Sequence, residues 1–365
     1  MNNIFEENNN DGLKAAVGFD GFVDKIYRPV KNVKNKDKVY YNKIDEFGNR
    51  IKKAAGLSCD IDIELETVQP GGNTPLFANS LGHLGIKTDC MAPIDEYEDI
   101  FKTYMSKNCK IRSVGEPGLS FVLEFLDGKV MLGDTHTFKD INWQRIKKRV
   151  GKHIFTILKD YELISMVNWS HFDNMSQIWS HIINYLKRKE FKHKGQSLFI
   201  DLADTSPRNY QDLVEMFNLL HKFTKFYNVT LGLNENETKD LGIKLLSDNY
   251  DDLNEVGSYL IDNEYVDEVV IHPVASAILI DEKKTFTVKV PKVKNPVLTV
   301  GGGDNFNAGY SWGKLNKLSP EKCLILGAVN ARLFVSNGKS PSINDVFQYL
   351  IKAKDNIEVN YHKKR

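Results

Sequence analysis

The amino-acid sequence predicts an α/β protein in which a mostly parallel sheet lies between two layers of helices. Three observations point there. In the second half of the chain, short apolar runs alternate with amphipathic stretches of helical length, the pattern of a sheet covered on both faces. Polar clusters fall where those strands should end, which is where open α/β sheets take their ligands. Three consecutive glycines stand between an apolar segment, VLTV, and a stretch that reads as a helix.

Along the chain, MNNIFEENNNDG is polar and Asn-rich and lacks the apolar core of a signal peptide. Residues 1–12 are therefore expected to form a frayed tail. AAVGF (15–19) reads as a first strand ending in glycine. Residues 25–66 are charged and irregular and read as a lid or an insertion. TPLFANSLGHLG, after Asn73, has the apolar spacing of a helix closed by Gly85. LSFVLEFLDGKVML (119–132) reads as a hairpin around Asp127-Gly128. Strand and helix then alternate: ELISMVNW, MSQIWSHIINYLKRK, SLFIDLAD, DLVEMFNLLHKFTKF, then VTLGLN with a helical stretch behind it, and DEVVIHP. A polar tail is expected at 356–365, which leaves 13–355 as one domain. No internal repeat of fixed period interrupts this reading.

Composition excludes several classes. Lys and Arg number 49 against 48 Asp and Glu, so no global charge calls for nucleic acid or an anionic membrane. Cys59, Cys90, Cys109 and Cys323 are far apart and form no CxxC pair, which reads as reduced thiols of a cytoplasmic protein. No apolar run approaches the ~20 residues that span a bilayer.

The glycine run carries the chemistry. Gly301, Gly302 and Gly303 expose backbone N–H groups at the start of a helix, an arrangement that binds anions, phosphate first among them. Asp304 follows at once. Its charge would oppose a phosphate, yet a carboxylate there is suited to take a proton from a hydroxyl that attacks one. In isolation Asp304 reads equally well as a helix cap. Rival phosphate motifs fail: Leu333 stands where a Walker A loop ending at Gly338-Lys339-Ser340 needs glycine, and Phe306 replaces the last glycine of GxGxxG.

GGGDNFNAG (301–309) resembles the GAGDxFxAG signature of the PfkB, or ribokinase-like, carbohydrate kinases, with Gly302 in place of Ala. Further likenesses follow in family order: VGFDGFVDKI (17–26) with the first strand, PGGN (70–73) with the GG motif, and NENE (234–237) with NxxE. The resemblance covers roughly residues 15–345. It implies a ribokinase-like three-layer α/β/α sandwich with a small β lid from segments near 25–68 and 110–135. It also implies transfer of the γ-phosphoryl group of ATP to a hydroxyl of a sugar or sugar-like acceptor. Asp304 would be the general base and 301–303 the anion hole. Asp24, with Asp20 as the alternate, would bind the acceptor together with Gly71, Gly72 and Asn73. Asn234 and Glu237 would organise Mg²⁺ through water, and Asn337 and Gly338 would flank the nucleotide.

Each match has a simpler local reading. Asn234 and Glu237 have the spacing of a capping box, and Gly71-Gly72 that of a turn. The sequence also departs from the family pattern. VVIHPVASAI (269–278) has no glycine where the family carries TxGxxG, and offers His272 instead. Leu76 stands where GGxxxN has Asn. NWSHFDN adds Asn168 and His171 as polar groups at a strand end. A nucleoside kinase of the same fold and a non-catalytic sugar or nucleotide sensor are the competing readings. A homodimer joined through the lid is expected of the assembly.

Overall fold

The computed structural model describes residues 12–34, 36–192, 195–246, 252–353 and 357–363. All of the expected N-terminal tail except Gly12 lies outside the described residues. In chain order the strands are β1 (Lys14–Gly18), β2 (Phe22–Lys34), β3 (Asp37–Tyr40), β4 (Ile63–Gly71), β5 (Lys87–Ala92), β6 (Cys109–Ser113), β7 (Gly118–Phe125), β8 (Gly128–Asp134), β9 (Leu163–Val167), β10 (Ser197–Asp201), β11 (Asn228–Leu233), β12 (Glu268–Ile271), β13 (Ser276–Ile280), β14 (Lys284–Lys289) and β15 (Glu358–Lys363). The helices are α1 (Ile44–Lys52), α2 (Asn73–His83), α3 (Glu98–Tyr104), α4 (Trp143–Val150), α5 (His153–Asp160), α6 (Met175–Arg188), α7 (Tyr210–Phe223), α8 (Glu235–Leu245), α9 (Leu253–Asp262), α10 (Gly302–Leu315), α11 (Pro320–Asn337) and α12 (Ile343–Ala353).

Ten strands form one sheet in the order β15-β14-β13-β12-β11-β10-β9-β1-β5-β6. From β12 to β6 every neighbour is parallel, and β13 to β15 are added antiparallel. Both faces are covered, because successive strand residues point to opposite sides. Ala15 and Val17 of β1 join a core with residues of α2, α10, α11 and α12. Ala16 between them joins the other core, with residues of α4 to α7 and α9. Strands buried on both sides carry no polar alternation, which is why AAVG and LISMV read as plain apolar runs.

Chain direction across the sheet reverses between β1 and β9, since β5 and β6 lie on one side of β1 and β9 to β12 on the other. The crevice at the carboxyl ends of these strands is where side chains from separate loops converge.

A second sheet of five strands stands beside the first. Long β2 pairs with β4, β7 and β3, and β8 completes a hairpin with β7. The stretch 25–66, irregular by its sequence, thus carries most of β2, all of β3 and α1, and the start of β4. Its pattern is hidden because little of it is buried: the last four residues of β2 are exposed and α1 buries none. Residues 356–365, expected as a polar tail, include β15, which pairs with the free edge of β14. No helix among the described residues is long and apolar enough to cross a membrane.

Candidate active site

The glycine run forms the entrance to α10. Gly301 has φ 91°, a left-handed conformation that costs a side chain dearly and glycine little. The N–H of Gly302 turns back to Thr299 O (3.1 Å), and the helical ladder begins with Asn305 N–H to Gly301 O (3.0 Å). The first-turn amides of Gly303 and Asp304 are therefore outside the ladder and carry the positive end of the helix dipole. Asp304 is only 7% exposed, and its Oδ1 is enclosed with no hydrogen-bond partner among the described residues. Burial holds its carboxyl well above the ordinary range, and the charges of Asp201 and Asp20 push the same way. The Asn73 side chain and Asp304's own amide pull back without reversing this.

The two candidate acceptor acids have different environments. Asp20, just past β1, accepts from the backbone N–H of Asn73 (2.9 Å) and of Thr74 (2.8 Å) and from Asn168 Nδ2 (2.8 Å). It thereby anchors the N-terminus of α2 and does not line the cleft. Asp24, on β2 opposite Ser120 of β7, does line it. Burial raises the Asp24 carboxyl to about 6, against the opposing influence of Lys129 and Ser120. Gly71 leaves the space Asp24 occupies, since a Cβ there would lie 2.3 Å from Asp24 Oδ1. Gly72, at φ 92°, starts α2 with its own Cβ position 2.9 Å from Asp20 Oδ2.

Asn234 and Glu237 form a reciprocal capping box on α8, with Glu237 N–H to Asn234 Oδ1 at 2.9 Å and Asn234 N–H to Glu237 Oε2 at 2.8 Å. Both also line the cleft. Burial raises the Glu237 carboxyl to about 8, with Asp201 and Asp204 adding to it. Asp201, at the end of β10, accepts from Asn307 Nδ2 (2.8 Å) and Ala203 N–H (2.9 Å), and burial lifts it to about 6. Asn337 and Gly338 end α11, with Gly338 in the left-handed cap position, and are not among the residues lining the cleft.

These groups enclose a cleft of about 650 Å³, of the size that takes a small ligand. It joins Asp24, Asn73, Asn234, Glu237, Gly301, Gly303 and Asp304 with Asp201, one of the polar groups expected at a strand end, and with Ser120, Thr135 and Asp204, which the sequence does not single out. Asn168, His171 and His272, polar groups at strand ends, line it too. His272 packs its ring on Phe306 at 4.8 Å, and burial lowers its pKa to about 4, so it is neutral.

No Lys or Arg is among the described residues that line the cleft, so the charge of a triphosphate needs a cation there. The donors are oxygens, and buried carboxylates that raise one another's pKa are what a cation relieves. No group of three or more His, Cys, Asp or Glu side chains among the described residues is placed to hold a metal ion. Mg²⁺ keeps several waters and needs only one or two carboxylates beside phosphate oxygens, so these residues fit Mg²⁺ held through water.

A parallel sheet with helices on both faces, a second sheet and an acidic cleft at the strand ends define a sugar kinase of ribokinase-like fold. A putative ribokinase II from Escherichia coli, solved with ATP and Mg²⁺, superposes with a TM-score of 0.65 at 13% identity, covering 93% of this chain and 99% of that one. Ribokinase from Thermotoga maritima gives 0.60 at 15% identity, covering 93% and 99%. The family model for prokaryotic ketohexokinase matches residues 5–352, and the chain belongs to that family. Ketohexokinase of Haloferax volcanii is 25% identical over 343 residues, covering 92% of this chain and 90% of its own length.

Proposed function

We propose that this kinase transfers the γ-phosphoryl group of ATP to a hydroxyl of a ketohexose, with Asp304 as general base. The observation that carries this is the Asp304 carboxylate. It is buried, has an unpartnered Oδ1, and sits in the first turn of α10 beside amides outside the helical ladder. The ketohexose is drawn from the family and from the Haloferax relative.

Asp304 Oδ1 takes the proton of the attacking hydroxyl as its oxygen bonds to the γ-phosphorus. The bond from phosphorus to the bridging oxygen breaks, and ADP leaves with the electron pair. The Gly303 and Asp304 amides face the charge on the transferring group, a kind of contact that contributes ~10²–10³-fold. Asn234 and Glu237 would hold Mg²⁺ through its waters, and the ion when bound supplies charge neutralisation at the triphosphate. Asp24 and Asn73 accept and donate hydrogen bonds to the sugar hydroxyls.

The lining also selects the acceptor. It contains Asp24, Asp201, Asp204, Glu237 and Asp304, and no Lys or Arg among the described residues. Such a surface favours an uncharged polyol and repels a second phosphate. The test is ADP formation with Mg²⁺ and ATP over a ketohexose, a ketohexose phosphate, an aldohexose and adenosine. The free ketohexose is expected to be the best acceptor by kcat/KM. Adenosine as the best acceptor would make the chain a nucleoside kinase, and no acceptor-dependent turnover would leave a binding protein.

A further inference from the structure

We infer that His171 is a specificity-determining contact for the sugar, presenting Nε2 as a hydrogen-bond acceptor whose role is set by a relay from Asp20. The inference rests on the ketohexose reading above. The relay begins with a carboxylate, which when ionised only accepts. Asp20 is fully buried and takes the backbone N–H groups of Asn73 and Thr74, which fixes its orientation at the head of α2. Its Oδ2 also lies 2.8 Å from Asn168 Nδ2, and that same nitrogen is 3.2 Å from Asn73 Oδ1. Two acceptors on one side oblige the Asn168 NH₂ to face them, so its Oδ1 faces the other way. There it lies 2.8 Å from His171 Nδ1. An amide oxygen accepts only, so Nδ1 carries the hydrogen, and Nε2 is the ring nitrogen left to meet a ligand, as an acceptor in the neutral ring.

The backbone supports this arrangement. Asn168 follows β9 in a left-handed conformation, φ 61° and ψ 47°, which Asn tolerates better than most residues. That bend carries the chain through the short turn Trp169–His171, and the ring returns to the Asn168 amide with Nδ1 2.8 Å from Oδ1. Asn168 is buried and His171 is exposed, yet both line the cleft. Many of the other acceptors that line the cleft are carboxylates: Asp24, Asp201, Asp204, Glu237 and Asp304. A neutral acceptor beside them accepts a hydrogen bond from a hydroxyl without adding charge, and it gains nothing from a ligand with no hydroxyl at that point.

Two variants and two measurements test this. His171→Leu removes the acceptor and keeps an apolar body; His171→Gln places an amide oxygen near the Nε2 position. At saturating ATP and Mg²⁺, His171→Leu is expected to raise the ketohexose KM about five- to tenfold, the worth of one neutral hydrogen bond. The KM for ATP and kcat should be unchanged, and His171→Gln should recover part of the loss. Calorimetric titration of the ketohexose, without ATP, should show the same ratio in Kd. Equal sugar KM and Kd in native protein and His171→Leu would overturn the inference while leaving the kinase reading intact. Sugar binding that depends on His171 in a native protein without turnover would overturn the kinase reading and uphold the contact.

Discussion

Asp304 carries two opposed demands. In the proposed role of base it must be ionised, yet its surroundings disfavour the charge. Its folded-state pKa is raised above the ordinary value of 3.8. Between those two values the folded protein binds more protons than the unfolded chain, so stability falls as pH rises across that window. Asp304→Asn removes the charge and keeps the shape. It should lower kcat by ~10²–10⁴-fold and raise Tm near neutral pH, with the Tm gain fading below 3.8. Melting curves of both proteins across pH check the second part, and curves that differ by a constant amount at every pH would contradict it. Gly71→Ala acts on another acid. The added Cβ would sit 2.3 Å from Asp24 Oδ1 and 2.5 Å from its Cγ, so the carboxylate must move. The sugar KM should rise while the KM for ATP stays, and an unchanged sugar KM would remove Asp24 from the acceptor site. The choice between Asp20 and Asp24 shows what a sequence withholds. Both follow apolar residues near the first strand. What separates them is the pull of α2 amides more than fifty positions away, which no local pattern records.

At the level of elements, α8 shows one pair of residues serving two ends. Asn234 and Glu237 cap the helix, and the same residues line the cleft. The capping spacing and the metal-organising spacing coincide in NENE, so the sequence is compatible with both. Glu237→Gln separates them, because glutamine also completes a capping box. Its Tm should stay at or above the native value, since a carboxyl raised to about 8 by burial carries no stabilising charge. Half-maximal activity should need more Mg²⁺. Asn234→Ala, by contrast, should cost about 1 kcal/mol of stability through the lost cap. A native-like Mg²⁺ titration in Glu237→Gln would leave the pair as a cap alone. Elements with strong periodicity or glycine punctuation were legible: α2 closing before Gly85, α10 after the glycine run, and β9 to β12. The second sheet was legible only in part: the hairpin of β7 and β8 around Asp127-Gly128 stands out in the sequence, and β2, β3 and β4 do not. β3 and β4 are largely exposed or half-buried, and β2 pairs with its neighbour β3 and also with β4 and β7 from more distant segments.

Across the whole molecule, the cleft is shared between the two sheets. Asp24 and Ser120 come from the second sheet, while Asp304, Asn234, Glu237 and Asp201 come from the strand ends and helix starts of the first. A further hollow of about 480 Å³ lies between Tyr41, Phe125 and Gly128 on the second-sheet side and residues 296–299, which lead into the glycine run. A sugar held by Asp24 on one side and facing Asp304 on the other, as proposed, would tie the sheets together. Its binding should therefore oppose local opening of the second sheet, which rests on the small core of Tyr41, Leu123 and Phe125. Amide hydrogen exchange reads this directly. With ketohexose at a hundred times its Kd, linkage allows up to about 2.7 kcal/mol, or ~100-fold slower exchange, for openings that release the ligand. Slowing is expected in β2 and β7 of the native protein and should be lost in Asp24→Ala at the same sugar concentration. A non-hydrolysable ATP analogue with Mg²⁺ should still protect the start of α10 in that variant, because the contacts proposed for it lie with the large sheet. If sugar slows exchange only at the strand ends of the large sheet, the second sheet is a fixed wall. If it slows both and the effect depends on Asp24, the second sheet is a lid that the acceptor holds shut.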